Sequence, residues 1–388
     1  MRWGIDAREI EKGVYTGIGV VLMNFLQYVS RHHQEDTYIL FSRTPLSYRF
    51  NGPVKNVVCK SNVTLIWDQI VFPRAAVREK VDILYSPYYK VPFIFRGFKV
   101  NTIHDLMFLA FEVYREKLSR FHALYYRIFG RLMAQSADLV LAVSDYSKRD
   151  VMKYFPVEGN KIEVVYNSMS SIYTQQGARV DHGALRQMWG IVAPYVLYVG
   201  NFKPHKNVER LIEAFAVVSQ THKDMQLVLA GDKTTGAERL QPLIERLSLE
   251  HKVIFTGVIE SEEQLKMLYT AAQVFVFPSL YEGFGMPPVE AMACGVPVIA
   301  STLTSLSEVV GEAALCIDPE SPLGIAEAIK RVLKDDSLRR VLIEKGYACA
   351  ARYRLDVIGE MMYRAIKATY DKKCGRPENR AVRERGRS

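Results

Sequence analysis

Short apolar runs rich in β-branched residues alternate with segments of helical periodicity through both halves of the chain. Strands that alternate with helices indicate parallel sheets covered by helices on both faces. Because 388 residues exceed what one hydrophobic core usually organises, the pattern predicts an α/β protein with two Rossmann-like domains. The predicted strands are RWGID, TYILFS, NVVC, DILYS, KVNTIHD, DLVLAVS and IEVVYN in the first half, and YVLYVG, QLVLAG, KVIFTG, VFVFPS, PVIAS and ALCID in the second.

One polar interruption and one change of pattern set the predicted boundaries. The first domain is expected at 1–172, and a polar, strand-free segment separates it from the second domain at 190–350. Late in the second half the pattern becomes wholly helical, and the last helix, 351–370, is a candidate to cross back onto the first domain. The end 371–388 contributes +4 of the net charge of +9 and contains Gly and Pro, which is typical of a solvated, flexible terminus.

Cysteine spacing and hydropathy argue against several classes of protein. The five cysteines are far apart and form no C-x-x-C pair, which indicates a reducing compartment and argues against zinc. No apolar run approaches the roughly 18 to 20 residues that cross a bilayer, and the first residues are already charged. The sequence therefore predicts a cytoplasmic protein. Since the basic end has no aromatic-basic recognition motif, we expect no nucleic-acid partner.

Polar and glycine clusters follow several predicted strands. In open α/β sheets ligands bind outside the carboxyl ends of the strands, so two facing domains make a cleft that is the default active site. A histidine in this position can hydrogen-bond a ligand hydroxyl or take a proton, whereas a lone histidine is more often structural. The clusters are His104-Asp105, Gly200-Asn201, Gly231-Asp232 and Gly257.

Two segments that lead into helices have the composition of an anion site. Gly17 and Gly19 stand just before a helical pattern, where backbone N–H groups and the helix N-terminus favour phosphate, although a tight turn has the same composition. Lys203, His205 and Lys206 cluster before another helix. Cations there suit a diphosphate leaving group, because they neutralise the charge that grows as its bond breaks. A solvated basic loop is the alternative.

The segment YEGFGMPPVEAMACGVPVIAS raises the question of what Glu282 and Glu290 do. Gly283 and Gly285 allow positive φ and close ligand approach, which predicts a loop that carries Glu282. A helix is expected to begin at the two prolines and to end before Gly295, which places Glu290 in its first or second turn. Carboxylates on different elements suit two parts of one extended ligand better than a glycosidase pair or a metal site. The alternative for Glu290 is a helix-start charge that the dipole favours.

Together these segments resemble the family-4 retaining glycosyltransferases, which have the GT-B fold of two Rossmann-like domains facing a central cleft. EGFGMPPVEAMACGVPVIAS is similar to the E-x7-E motif of that family, and TGIG, TIHD, SADLVLAVSDYSKRDV and GNFKPHKNVERLIEAF stand in the expected order. The PHKN segment is similar to that of mannosyltransferases of O-antigen and exopolysaccharide assembly. The resemblance implies a nucleotide-diphosphate sugar donor, with GDP-mannose favoured and UDP-sugars or dTDP-rhamnose as alternatives.

The resemblance also implies a role for each matching residue. Glu290 would bind the donor ribose, and Lys206 would bind the diphosphate. Glu282 and His104 would lie against the transferred sugar, so that His104, Glu282 and Lys206 form the catalytic set. The other implied donor contacts are Gly17, Gly19, Gly200, Asn201, Gly257, Val258, Gly283, Phe284, Gly285 and Met286.

The implied reaction is front-face substitution with retention at the anomeric carbon, in which the leaving diphosphate helps to deprotonate the acceptor hydroxyl. Neither a metal nor a cofactor is expected, and the first domain would bind a glycan or lipid-linked acceptor. One position departs from the family pattern. Many members carry Arg where this chain has Asn201, so Lys203 or His205 replaces that cation or one charge contact is absent.

Other functions and one further partner fit the same sequence. A GT-B sugar-nucleotide epimerase and a non-catalytic sugar-nucleotide-binding protein share the fold and are the alternatives to a transferase. The segment 114–133 is basic and aromatic, and together with the basic end it favours an anionic membrane surface at the cytoplasmic face as a partner. An ordinary surface helix explains that segment equally well.

Overall fold

Two parallel sheets, each flanked by helices, organise the chain. The computed structural model describes residues 1–11, 13, 16–117, 126–175 and 181–374. Every predicted apolar run overlaps an observed strand, and all paired strands are parallel. The predicted α/β class with two Rossmann-like domains is confirmed.

The first sheet is built from seven strands. They are β1 (Arg2–Asp6), β2 (Thr37–Ser42), β3 (Val54–Val58), β4 (Ile83–Ser86), β5 (Phe98–Ile103), β6 (Leu139–Ala142) and β7 (Ile162–Val164). Their order in the sheet is β3-β2-β1-β4-β5-β6-β7, so the chain extends to one edge and then crosses back to the other side of β1. In sheets of this kind, ligands bind where the strand order reverses, at the carboxyl ends of the strands.

The second sheet has six strands and the same kind of reversal. They are β8 (Tyr195–Val199), β9 (Gln226–Ala230), β10 (Val253–Gly257), β11 (Val274–Phe277), β12 (Val298–Ser301) and β13 (Ala314–Ile317). The order β10-β9-β8-β11-β12-β13 makes β8 and β11 neighbours although they are far apart in sequence. The loops that follow these two strands therefore lie side by side.

Helices cover the sheets, and polar side chains begin several of them. Thr16, Ser144 and Ser261 each accept a backbone N–H group from the first turn of the helix that follows. π-helical turns span Trp67–Val71 and Tyr126–Gly130. The α-helices are α1 (Gly17–His32), α2 (Thr64–Ile66), α3 (Phe72–Arg78), α4 (Met107–Ala110), α5 (Glu112–Lys117), α6 (Arg131–Gln135), α7 (Asp145–Tyr154), α8 (His182–Trp189), α9 (Val208–Thr221), α10 (Gln241–Arg246), α11 (Glu262–Ala271), α12 (Met286–Ala293), α13 (Leu306–Val310), α14 (Pro322–Lys334), α15 (Asp336–Ala351) and α16 (Leu355–Cys374).

The last helix, α16, packs against α1 beside the first sheet. A Cβ built on Gly359 would lie 2.4 Å from Cγ of Tyr28, so only glycine allows this approach. The ring of His33 stacks on Tyr363 with centroids 3.5 Å apart, and its Nε2 lies 2.8 Å from Glu360. The last helix thus follows the second sheet in sequence but packs beside the first sheet.

Two segments singled out in the sequence fall partly outside the described residues. They are residues 118–125 of the basic, aromatic segment and residues 375–388 of the basic end. None of the helices within the described ranges has both the length and the hydropathy needed to cross a membrane.

Candidate active site

Loops from the carboxyl ends of both sheets meet at one contact. The loop after β11, residues 278–285, reaches the start of α7, which follows β6 of the other sheet. There the Gly283 carbonyl accepts hydrogen bonds from the Ser144 and Ser147 hydroxyls, at 2.6 and 3.0 Å. The carboxyl ends of the two sheets therefore face a shared cleft.

Gly283 is required by this contact rather than by its backbone conformation. A Cβ built on Gly283 would lie 1.9 Å from the carbonyl oxygen of His104, on the loop that follows β5. The expected positive φ occurs at Gly285, with a value of 94°, but not at Gly283. The small size of Gly283 thus brings Glu282 and His104, from different domains, into one region of the cleft.

The rest of the glycine loop is held from within its own domain. The Ser305 hydroxyl lies 3.0 and 3.1 Å from the carbonyl oxygens of Glu282 and Phe284. The Phe284 ring is buried and packs edge-on against Tyr353, with centroids 5.3 Å apart. Phe284 therefore offers a ligand its backbone only, and Met286 begins α12 directly after it.

Lys206 and Glu282 form an ion pair in the cleft. Nζ of Lys206 donates to Oε1 of Glu282 at 2.6 Å, and the side chains are 12% and 13% exposed. The ammonium group also lies 5.1 Å from the centre of the Phe277 ring. The carboxylate balances the positive charge that, from the sequence, was expected to bind a diphosphate. A diphosphate bound at Lys206 must therefore displace Glu282 or share the lysine with it.

Asn207 holds the turn that carries Lys206. Its backbone is left-handed, with φ 58° and ψ 35°, a conformation that asparagine tolerates. Its side-chain amide donates to the carbonyl oxygens of Pro278 and Pro319, at 3.0 and 2.7 Å. These bonds join the turn after β8 to the loops after β11 and β13. The positions of Lys206 and Glu282 are therefore fixed by neighbouring strands.

His104 brings an unpaired nitrogen to the cleft from the first domain. Its Nε2 is buried and has no hydrogen-bond partner among the described residues. Burial lowers the pKa of His104 to about 4, so the imidazole is neutral at pH 7. Because buried polar atoms are normally satisfied, this nitrogen is suited to a ligand hydroxyl.

Glu290 lies in the second turn of α12 and faces a cavity of about 340 Å³ between α1 and residues 259–265. The Tyr269 hydroxyl donates to Oε2 of Glu290 at 2.9 Å. Burial raises the pKa of Glu290 to about 7, although this hydrogen bond lowers it. Neither Lys206 nor Glu282 lines the cavity. The two glutamates of the motif thus line different parts of the cleft.

Gly17 and Gly19 lie inside the first turn of α1, so the predicted loop before the helix is wrong. The Thr16 hydroxyl caps this turn and accepts the N–H of Gly19 at 2.9 Å. Gly17 is exposed, and no described atom lies within 4 Å of a Cβ built on it. The same helix contributes Val20 and Met23 to the Glu290 cavity. An anion here would meet a helix start at which one N–H is already engaged.

The turn after β8 carries less positive charge than its sequence indicates. The Asn201 side chain accepts the backbone N–H of Lys203 at 3.2 Å, and Lys203 is exposed. His205 is buried, with Nδ1 2.9 Å from the Tyr114 hydroxyl. Burial and the neighbouring lysines, Lys206 first, lower the pKa of His205 to about 3. Because His205 is neutral at pH 7, it does not replace the arginine absent at position 201. Either Lys203 supplies that charge or one charge contact is absent.

Glycines at the ends of β8, β9 and β10 form an edge made mostly of main chain. A Cβ built on Gly231 would lie 2.0 Å from the carbonyl oxygen of Gly200. Gly231 also forms a bridge with Gly257, where φ is 78°. Val258, the next residue, is 60% exposed. Because the glycines pack closely, this edge presents mainly backbone groups. Such an edge is suited to contact a base through the main chain.

Two features of the cleft were given no chemical role by the sequence, although Asp105 was placed in a cluster at a strand end. One is Asp105, whose carboxyl pKa is raised by burial and by the charge of Glu282. The other is a recess of about 270 Å³ beyond the carboxyl ends of β1 and β4. In the recess Arg8 pairs with Asp68 at 2.6 Å and lies 5.2 Å from the centre of the Trp67 ring. The signal in both cases was a charged residue at or just beyond the end of a predicted strand.

Metal binding has no evident place in the described part of the chain. There, no three His, Cys, Asp or Glu side chains converge in a way that could hold an ion. A metal-independent reaction stays a prediction.

Known families and proteins match both halves of the chain. The family model of group 1 glycosyl transferases matches residues 189–348, and that of Glycosyltransferase Family 4 matches residues 15–170. The chain is 33% identical over 280 residues to O-antigen chain mannosyltransferase B of Escherichia coli, which covers 72% of each chain. It is 31% identical over 264 residues to O-antigen chain mannosyltransferase RfbU of Salmonella typhimurium (strain LT2), which covers 67% of each. Its structure is similar to sucrose-phosphate synthase from Thermosynechococcus elongatus, with a TM-score of 0.77, 20% identity, and coverage of 96% of this chain and 100% of the other.

Proposed function

The chain belongs to the glycosyltransferases with the GT-B fold, as its sequence predicts, and we propose that it transfers mannose from GDP-mannose to a hydroxyl of a glycan or lipid-linked acceptor. Both bacterial relatives are named O-antigen chain mannosyltransferases, which supports mannose as the sugar and a cell-surface polysaccharide as the product. The observation that carries the proposal is the Lys206–Glu282 pair in the same region of the cleft as the unpaired Nε2 of His104.

In the proposed reaction the donor lies along the carboxyl edge of the second sheet. Glu290 accepts the ribose hydroxyls and Lys206 binds the diphosphate. Glu282, released from Lys206, accepts hydroxyls of the sugar, and His104 contacts the sugar from the other domain. Negative charge grows on the diphosphate as its bond to the anomeric carbon breaks, so Lys206 stabilises the transition state more than the bound donor.

We further propose that configuration is retained and that no metal takes part. The acceptor oxygen bonds to the anomeric carbon on the face that the diphosphate leaves, and the departing phosphate oxygen takes the acceptor proton. This scheme needs no protein nucleophile. Activity should persist in EDTA, and a loss that Mn²⁺ or Mg²⁺ restores would contradict this part of the proposal.

The acceptor is proposed to enter the recess around Arg8 in the first domain. Asp6 and Asp68, both paired with Arg8, offset its charge, so the recess is better suited to the hydroxyls of a neutral sugar than to a phosphate. The ring of Tyr88, 5.7 Å from the guanidinium, lines the same recess. The proposed location is the cytoplasmic face of the membrane, where lipid-linked acceptors are presented.

A thermal-shift screen with nucleoside diphosphates and their sugars tests the donor. A ligand bound only by the folded state raises Tm as its concentration rises, so GDP and GDP-mannose should give the largest shifts. A larger shift with UDP or dTDP would reassign the base. NMR of the same mixtures separates the alternatives. An epimerase alters the donor without an acceptor, and a binding protein leaves donor and acceptor unchanged.

A further inference from the structure

A helix on the outside of the first domain presents an apolar face to solvent. From Thr64 to Arg78 the elements α2, the π-helical turn and α3 follow one another without a break. Together they form one helical segment. The inner face of this segment is buried, with Trp67 and Phe72 in the core between the segment and the sheet. The outer stripe has spacings of three, four and seven residues and consists of Val63 (53% exposed), Ile66 (44%), Ile70 (39%) and Val77 (64%).

A second segment extends this apolar surface. Phe93 and Ile94 are 37% and 64% exposed on the loop between β4 and β5. The backbone N–H of Phe93 donates to Oε1 of Gln69 on the helix, at 2.9 Å, which fixes the loop beside the stripe. We call the stripe and this loop together the docking face. Single exposed apolar residues need no explanation, but six of them on two segments joined by a hydrogen bond indicate an interaction surface.

The exposed charges on the two segments that carry the docking face all have one sign. Within residues 58–80 and 91–97, which the structure describes in full, every exposed charged side chain is basic. The two acidic residues in these ranges are withdrawn, since Asp68 is buried against Arg8 and Glu79 is bonded to Lys55. The exposed basic residues are Lys60, Arg74, Arg78, Lys80 and Arg96.

We propose that the docking face binds an anionic membrane surface, with the apolar stripe entering the headgroup region and the basic residues contacting lipid phosphates. An apolar helix face combined with basic side chains is the composition that binds such interfaces. A second copy of the chain fits less well, because a two-fold interface would bring the all-basic rim against itself. The proposal rests on the proposed function only in that a lipid-linked acceptor explains why this enzyme needs a membrane.

The helix connects the docking face to the acceptor recess. Its outer stripe points to solvent, whereas Thr64 lines the recess and Asp68 pairs there with Arg8. Lys90, before the Phe93 loop, also lines the recess. A membrane bound at the docking face would therefore lie next to the recess, within reach of an acceptor that is anchored in that membrane.

Vesicle sedimentation of the full chain tests the proposal. The probes are vesicles of phosphatidylglycerol and phosphatidylethanolamine, compared with vesicles of phosphatidylcholine alone. The unmodified chain should sediment with the anionic vesicles and much less with the neutral ones. The double variant Ile66→Glu and Ile70→Glu should weaken this binding by at least about tenfold, since it removes two inserted side chains and adds repulsive charge. The variant Arg74→Glu with Arg78→Glu should also weaken it and reduce its salt dependence.

A matched control comes from the second half of the chain. Val341 and Val357 are 47% and 42% exposed on α15 and α16, so the double variant Val341→Glu and Val357→Glu makes the same chemical change elsewhere. It should bind vesicles like the unmodified chain. Residues 375–388 are kept in every variant, so any contribution they make is equal throughout.

Three results would overturn the proposal: no binding of the unmodified chain to anionic vesicles, equal binding of the Ile66/Ile70 variant, or equal loss in the control. Self-association that the Ile66/Ile70 variant abolishes, seen by sedimentation velocity without vesicle binding, would instead assign the face to a second copy. Each variant should keep its thermal shift with GDP. Vesicle binding by a chain whose Tm does not change with any nucleotide would support the docking face and contradict the proposed function.

Discussion

The charge of Lys206 is balanced before any donor binds, because Oε1 of Glu282 lies 2.6 Å from its Nζ. In the proposed reaction a diphosphate bound there brings negative charge of its own, which would free the carboxylate to accept sugar hydroxyls. The pair would thus link the two halves of the proposed donor. Its members differ in what they do, and substitutions should separate them.

Replacing Lys206 with alanine should lower kcat by about 100-fold or more and change donor KM much less, because its contact strengthens as charge develops on the leaving group. Steady-state kinetics with varied donor measure both constants. Lys345→Ala is the matched control, since it breaks a Lys–Glu pair with Glu312 on the surface, where the side chains are 46% and 89% exposed. An unchanged kcat in Lys206→Ala would remove the lysine from the mechanism.

Replacing Glu282 with glutamine should have opposite effects on binding and on transfer. GDP, which has no sugar, should bind about tenfold more tightly, or ~1.4 kcal/mol, because the carboxylate no longer competes for Lys206. Transfer should slow, because a neutral amide is a weaker acceptor for the sugar hydroxyls. Calorimetry with GDP and initial-rate assays report the two quantities. Weaker GDP binding would show that Glu282 does not oppose the diphosphate.

Glu290 predicts a pH dependence of donor binding. Its pKa of about 7 in the free protein means that the carboxylate is ionised at pH 8 and largely protonated at pH 6. Only the ionised form accepts hydroxyl protons on both oxygens, so GDP affinity should fall about tenfold from pH 8 to pH 6. Glu290→Gln should bind GDP weakly, and its GDP affinity should change less with pH. The titration of the nucleotide itself affects the unmodified chain and the variant equally. Parallel profiles for the two proteins would contradict the prediction.

The sequence predicted site residues where they directly follow a strand or lie in or after a glycine loop. His104, Lys206 and the E-x7-E glutamates follow strands or glycine loops, so their nearness to the cleft could be expected from sequence. Their pairings could not, because Lys206 and Glu282 are 76 residues apart and Tyr114 and His205 are 91 apart. The neutrality of His205 likewise depends on burial that only the assembled fold creates.

Local sequence patterns predicted the strands better than the starts and exposed faces of helices. The strands were predictable because a strand buried on both faces has a continuous apolar run. Gly17 and Gly19 resembled a loop, but the cap from Thr16 brings them into the helix. Residues 63–78 were not singled out, because apolar residues on both faces of that helix have no period that marks one face as exposed.

Gly283→Ala tests the contact between the domains at the level of one loop. The added Cβ meets the backbone carbonyl of His104 at 1.9 Å, so the loop or the domains must shift. Because small displacements of reacting groups are costly, kcat should fall by about 100-fold, whereas GDP binding at the Glu290 cavity should change little. Gly159→Ala is the control, since its Cβ would meet only the flexible end of Met152 at 3.4 Å. Full activity in Gly283→Ala would show that this contact is not needed for transfer.

At the scale of the whole molecule, the active site is a product of how two separate sheets face each other. Besides the Gly283 contact, Glu308 of the second domain accepts the N–H groups of Asp145 and Tyr146 at the start of α7, at 2.8 and 3.1 Å. A carboxylate from one domain thus caps a helix of the other, where the helix dipole favours negative charge. Two Rossmann-like domains were predictable from the sequence, but these contacts between them were not, since each joins residues more than a hundred positions apart.

The reaction proposed for the cleft is transfer of mannose from GDP-mannose with retention of configuration. The most direct measurement follows the anomeric carbon by NMR during incubation with GDP-mannose and an acceptor glycan in EDTA. We expect release of GDP and a mannosyl product with the same anomeric configuration as the donor. An inverted product, or no transfer from any nucleotide sugar in the panel, would contradict it.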